Sequence, residues 1–149
     1  MWPSLKPSQK ITVAGAINPQ SSAAAVSTAW VPASQFANFL AVLAVGVISA
    51  GGTVNASLSQ AQDANGTNAK AITGKAITAL TQAGGSGNQQ AFIDLKGDEL
   101  DVNNGFDYVQ LTVTPSGAAA LISAQLLGVD PTYGPADTQA AASVVQVVY

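Results

Sequence analysis

The densest group of ionisable side chains in this 149-residue sequence is Asp94, Asp98, Glu99 and Asp101. Paired carboxylates can divide acid and base roles in glycoside hydrolysis, and clustered hard oxygens can hold calcium. Neither chemistry is well served here. No Asp-x-Asp-x-Asp-Gly loop occurs, and the aromatic residues that would form a sugar platform are few (two Trp, three Tyr, four Phe). The run Asp63–Thr67 (DANGT) begins like a calcium loop, but Gly74 stands where such a loop needs its bidentate Glu. The acids are therefore expected to cap solvated turns between strands, with no metal and no cofactor. Lys70 and Lys75 are placed to meet an acidic neighbour, the simpler expectation being that water solvates them.

The residue types that are missing exclude more. The chain has no Arg, His or Cys, and only five Lys with eight Asp or Glu. Without imidazole there is no neutral-pH proton shuttle, and without thiolate there is neither a soft metal ligand nor a strong nucleophile. No Ser lies in a Gly-x-Ser-x-Gly elbow, and no His exists to activate one. The expectation is a protein that is not an enzyme. A net charge of −3 with no basic cluster argues against gripping nucleic acid. Charged residues make up 9% of the chain, far below the roughly 25% of an ordinary soluble domain. So few charges protect a monomer poorly against self-association, which predicts that partners cover much of the surface.

The elements that position these residues read as β. Residues 1–25 carry Pro3, Pro7 and Pro19 and read as an extended N-terminal arm, with Lys10–Ala16 able to add a short edge strand. Residues 26–137 read as an antiparallel β-sandwich or jelly-roll-like single domain, and residues 138–149 as a C-terminal tail that forms a strand. Within the domain, Gly51-Gly52 is a two-residue hairpin signal after the β-branched run Phe36–Ala50. That hairpin sets Val45 opposite Leu58, Val47 opposite Ala56 and Ser49 opposite Val54 on one apolar face. Phe106–Thr114 alternates, with Val109, Leu111 and Val113 on the core side. A loop at Thr114–Gly117 would then put Val109 opposite Ile122, with Ala124 and Leu126 following on the same face.

Phe39–Ile48 is the most apolar stretch, yet a spanning helix needs about 20 apolar residues, so it reads as buried strand and no membrane partner is expected. The N-terminal MWPSLKP carries prolines and no apolar core, unlike a secretory signal, so synthesis is expected in the cytoplasm. Trp30 reads as core. Trp2 and Tyr149 read as intersubunit anchors, since aromatic side chains dominate contact energetics. The tail SVVQVVY is an uncharged β-former whose Val144, Val145, Val147, Val148 and Tyr149 must be paired or covered by a partner.

Residues 93–114 contain the run DLKGDELDVNNGFDYVQLTVT, with the acid-Leu-Asp turn Glu99-Leu100-Asp101, then Gly105-Phe106-Asp107 and an alternating strand. A later strand runs through Leu127 to a Pro-x-Tyr element at Tyr133. Across about residues 30–135 this pattern resembles small auxiliary capsid proteins, decoration or cement proteins, of tailed bacteriophages. The chain departs from them in lacking Arg and in continuing past Pro135 into a Val-rich tail. The resemblance implies a virion protein that decorates and stabilises the shell by bridging subunits of the major capsid protein, with no catalytic residues. A homo-oligomer, a trimer at local threefold junctions, is the expected form. The alternatives are a head–tail connector or tail protein and, from another class, a carbohydrate-binding module.

Overall fold

The computed structural model describes residues 4–149. In chain order the elements are a helical turn α1 (Pro7–Lys10) and the strands β1 (Ile11–Ser22), β2 (Val26–Ser27), β3 (Val31–Pro32) and β4 (Phe36–Ile48). There follow β5 (Thr53–Ala61), β6 (Lys70–Ala76), β7 (Leu80–Thr81), β8 (Gln90–Lys96), β9 (Tyr108–Ser116) and β10 (Ala120–Pro131). Short 3-10 turns occupy Ala33–Gln35, Gly97–Glu99, Val102–Asn104 and Ala136–Gln139. Among the described residues, no helix is long and apolar enough to cross a membrane.

The strands form two antiparallel sheets packed face to face. The first has the order β1-β10-β4-β8; the second has β2-β9-β5-β6, with β3 also on β9 and β7 also on β5. This is the strand order of a jelly roll, so the all-β sandwich expected from the alternation is what forms. Its backbone is one long antiparallel ribbon. β4 pairs with β10 from Phe36↔Pro131 to Ala120↔Ile48, and β5 pairs with β9 from Thr53↔Ser116 to Ala61↔Tyr108. Between those halves the ribbon folds over, so that each sheet receives one half.

Both hairpins read from the sequence are replaced by that fold-over. β4 and β5 lie in different sheets, as do β9 and β10. Val45 pairs with Ile122, and Leu58 with Leu111, while Val109 pairs with Gln60 and Val31. The inward faces were read correctly for Val109, Leu111, Val113, Ile122, Ala124 and Leu126, all of which are buried. They meet across the sandwich instead of side by side. Alternation dictates which side chains must leave water; it does not say whether their partners come from the same sheet or the opposite one. The phase of β4 also changes near its end. A register shift opposite Ala120–Ile122 turns Ile48 inward and leaves Val47 outside, 60% exposed.

The corner is made by close backbone approach. The Ser49 N–H donates to the Ala119 carbonyl at 3.0 Å, locking the two crossing strands together. Gly117 sits there at φ +77, and a Cβ on it would lie 2.5 Å from the Gly51 carbonyl oxygen. Only glycine meets both demands. In the core, Phe36 and Phe39 stack edge to face with ring centroids 5.6 Å apart. The Phe36 ring occupies the space over Gly128, where any Cβ would meet it at 2.5 Å.

The ends of the chain differ from expectation. Of the arm expected over residues 1–25, the short edge strand allowed at Lys10–Ala16 does form but is longer, Ile11–Ser22, paired with β10 from Ile11↔Val129 to Ser22↔Ala120. Main-chain pairing along β10 outweighs the loss of one donor at Pro19, which lies on an edge where Pro is tolerated. Pro7 opens α1 at its first position, where its missing N–H costs nothing. The segment Ser143–Tyr149 forms no strand within its own chain. A turn closed by the bond from the Val144 N–H to the Ala141 carbonyl (2.9 Å) precedes it.

Candidate functional site

The acidic side chains do not converge. Asp94 is on β8 and exposed, while Asp98 and Glu99 lie on the 3-10 turn that follows. Glu99 accepts the Lys96 N–H at 2.8 Å and pairs with the Lys75 ammonium at 2.9 Å. Those two contacts, the backbone bond first, hold its carboxyl below the ordinary range. Asp101 pairs with Lys70 and accepts the Asn104 amide at 2.8 Å, and the bond from Lys70 is the main reason its carboxyl is also lowered. The Lys70 ammonium lies 3.9 Å from the Phe106 ring centroid, a cation–π contact. Lys70 and Lys75 thus do find acidic partners, and the contacts tie β6 to the 97–104 loop. Buried Gln60 reinforces the tie by accepting the Asp101 N–H at 2.8 Å.

Asp63 closes its own turn, accepting from the backbone N–H groups of Asn65 (2.9 Å) and Thr67 (3.0 Å) and from the Thr67 hydroxyl (2.6 Å). The hydroxyl bond is the largest cause of its lowered pKa. Its lone pairs serve the loop. Among the described residues no three acids form a metal-binding group. Trp30, expected in the core, is only half-buried and lies over this turn, its Nε1 2.7 Å from where a Cβ of Gly66 would be.

A cleft of about 360 Å³ opens between α1 and the loop after β10, with Lys10 and Asp130 among apolar walls from Leu5, Pro131 and Pro135. Its polar lining is Lys10, Asp130 and Thr132.

The distinctive surface is the outer face of the first sheet. One cross-strand row runs Val13, Leu127, Leu40, Asp94; the next runs Ala16, Gln125, Val42, Phe92. Flanking rows carry Ile11, Val129, Asn38 and Lys96 on one side, and Ser123, Ala44 and Gln90 on the other. Ile11, Phe92 (63%) and Leu121 are large apolar side chains left in water. The charges of this face, Asp94 and Lys96, are confined to the edge strand β8. Aliphatic side chains thus predominate on the outer side of β1, β10 and β4, with Asn38, Ser123 and Gln125 among them. This face was not picked out from the sequence, although the signal was present. Phe39–Ile48 is apolar at both phases, the pattern of a strand covered on both sides.

The predicted anchors fare unevenly. Trp2 lies outside the described residues. Tyr149 folds back, its hydroxyl donating to the Asp137 carboxylate and its ring 4.9 Å from the Lys6 ammonium. The Asp137 bond pushes the phenol pKa up. Val144 and Val147 are half-buried, whereas Val145 is 93% and Val148 83% exposed.

Comparisons with protein-family models, with curated proteins and with solved structures find no match for this chain.

Proposed function

We propose that this protein is a non-catalytic structural subunit of a particle, an auxiliary capsid protein that decorates and stabilises the shell of a tailed phage. One observation carries the reading: a four-stranded sheet whose outer face is mostly apolar across β1, β10 and β4, broken by Asn38, Ser123 and Gln125, and charged only at its β8 rim. Covering that face removes apolar area from water, at about 25 cal/mol per Å². Repeated over many copies on a lattice, modest contacts of this kind sum through multivalency. The shortage of charge and the absence of Arg, His and Cys fit a chain selected for contact and not for chemistry. Jelly rolls recur in capsid and lectin domains, which is support by analogy alone.

The docking partner in this reading is the major capsid protein, with copies of the chain grouped around threefold junctions. A sugar-binding module would gather aromatic side chains on one surface. Here exposed Phe92 is on β8 and exposed Tyr133 in the loop after β10. Mass spectrometry of purified particles, counting this chain against the major capsid protein, tests the proposal. A simple lattice ratio is expected. A handful of copies moves the reading to a connector or tail protein, and absence from particles overturns it.

A further inference from the structure

We infer that residues 143–149 of one copy add as an extra strand to the free edge of β8 in a second copy, so that subunits join through a continued sheet. The inference rests on the assembly reading above and names the contact between copies. The first sheet has two edges, β1 and β8. β1 is blunted: its register shifts between Val13 and Gly15 and again between Ile17 and Gln20, it carries Pro19, and its Val13 carbonyl already accepts the Ala141 N–H at 2.7 Å. Bulges, proline and a covering segment are the usual ways of closing an edge.

Among the described residues β8 has no bulge, proline or covering strand, and the charges of Asp94 and Lys96 are its only protection. It pairs with β4 from Asn38↔Lys96 to Ala44↔Gln90 without a shift, contains no Pro or Gly, and has no strand on its other side among the described residues. The Val45 N–H donates to the Gln89 carbonyl at 2.9 Å, which fixes the ladder's alternation. Bonds to β4 therefore come from Ala91, Ile93 and Leu95. The main-chain groups of Gln90, Phe92, Asp94 and Lys96 point to the free side.

The tail has the complementary deficiency. From Val145 to Tyr149 it makes no backbone hydrogen bond to the described chain, and Val145 and Val148 are almost wholly in water. Its own β8 is out of reach. Ala141 is pinned at β1, two residues extend at most about 7 Å, and β8 lies three strand spacings away, about 14 Å. A second copy's β8 is free of that restriction. Strand period then selects the faces: Gln146 is the one polar residue of SVVQVVY after Ser143, and it belongs with Asp94 and Lys96 on the outer face. Val145, Val147 and Tyr149 fall on the inner side, extending the row of Ile93 and Leu95. In the single chain, the contacts of Tyr149 with Asp137 and Lys6 clasp the tail back and compete with donation.

The test uses the absence of native cysteine. Full-length chains carrying Asp94→Cys are mixed with chains carrying Gln146→Cys, oxidised, and run on a non-reducing gel beside each variant alone. A disulfide dimer enriched in the mixture is expected; equal yields in all three overturn the inference. Light scattering after size exclusion then compares the full chain with the deletion of residues 143–149 and with Asp94→Pro. Both changes should weaken self-association at least tenfold with the melting temperature unchanged, whereas Tyr149→Phe, which loses only the clasp to Asp137, should strengthen it several-fold. Unaltered self-association in the deletion, or a full chain that stays monomeric at its highest soluble concentration, overturns strand donation. If particle occupancy survives in those cases, the decoration reading stands without it; if Val42→Lys abolishes occupancy while self-association persists, the two readings are separated the other way.

Discussion

The two outer faces of the sandwich are built on the same ribbon and could hardly differ more. On the first sheet, β4 and β10 present Leu40, Val42, Ala44, Leu127 and Val129 to the outside. On the second, their continuations β5 and β9 present Thr53, Asn55, Ser57 and Ser59 beside Gln110, Thr112, Thr114 and Ser116. The second face is also uncharged along those strands, but it is built of hydroxyls and amides, some of which bond within the chain, as the Gln110 amide does to the Thr28 carbonyl at 2.8 Å. The Ser27 and Thr112 hydroxyls, for example, lie 2.8 Å apart. Low charge therefore has two meanings within one chain: a wet face of hydroxyls and amides, and a dry face of mostly aliphatic side chains, which is the docking surface in the function proposed above.

Substitutions can break or sharpen this contrast. The largest effect on stability is expected where the faces share a core: Leu111→Ala, at a fully buried position of β9, should cost about 2–5 kcal/mol in denaturant unfolding. Leu127→Ala, on the outer face, should cost only about 1 kcal/mol, so a comparable loss at both sites would show that the first sheet is not open to solvent. Gly117→Ala attacks the fold-over that assigns the ribbon halves to separate sheets. A Cβ 2.5 Å from the Gly51 carbonyl at φ +77 should cost about 1–3 kcal/mol. A neutral outcome there would mean that the corner is looser than its contacts imply.

A smaller effect on the isolated chain, with a large one on assembly, is expected for a lysine on the dry face. Val42→Lys should leave unfolding within about 1 kcal/mol yet lower particle occupancy at least a hundredfold, about 2.8 kcal/mol. The matched Thr112→Lys on the wet face should change neither, and equal losses from both would erase the distinction between the faces.

The smallest effect concerns acid. The carboxyls of Asp63, Glu99 and Asp101 are lowered in the folded chain, by the Thr67 hydroxyl, the Lys96 N–H and the Lys70 ammonium respectively. Groups lowered by folding stabilise it above their ordinary values of 3.8 and 4.5, and that contribution disappears as pH falls through the folded values. Thermal melts should be level from neutral pH down to that range and decline below it. Because these acids are exposed, the slope should be shallow, and salt should flatten the part due to Lys70 and Lys75.

Much of this was legible in the residues. The period-2 alternation of Val109, Leu111 and Val113, and of Ile122, Ala124 and Leu126, was enough to place each inward, because a strand with one wrong phase would expose its whole apolar set. Glycine and proline marked the breaks, and the absence of Arg, His and Cys bounded the chemistry before any coordinate was known. The acids' fate was partly legible: the failed calcium loop at Asp63–Thr67 left a turn, and an acidic neighbour for Lys70 and Lys75 was the weaker expectation beside solvation, because nothing local pairs Lys70 with Asp101, 31 residues away.

What the sequence determined by itself was the fold class, the inward side chains of β9 and β10 and the poverty of catalytic groups, since all three follow from residue type and short-range period. Three things needed the tertiary structure: that Gly51-Gly52 turns a corner between sheets, that the edge strand allowed at Lys10–Ala16 runs from Ile11 to Ser22 along β10, and which outer face is dry. The physical reason is common to all three. Strand pairing is a contact between distant segments, and a strand's own sequence states which side seeks cover without stating what supplies it.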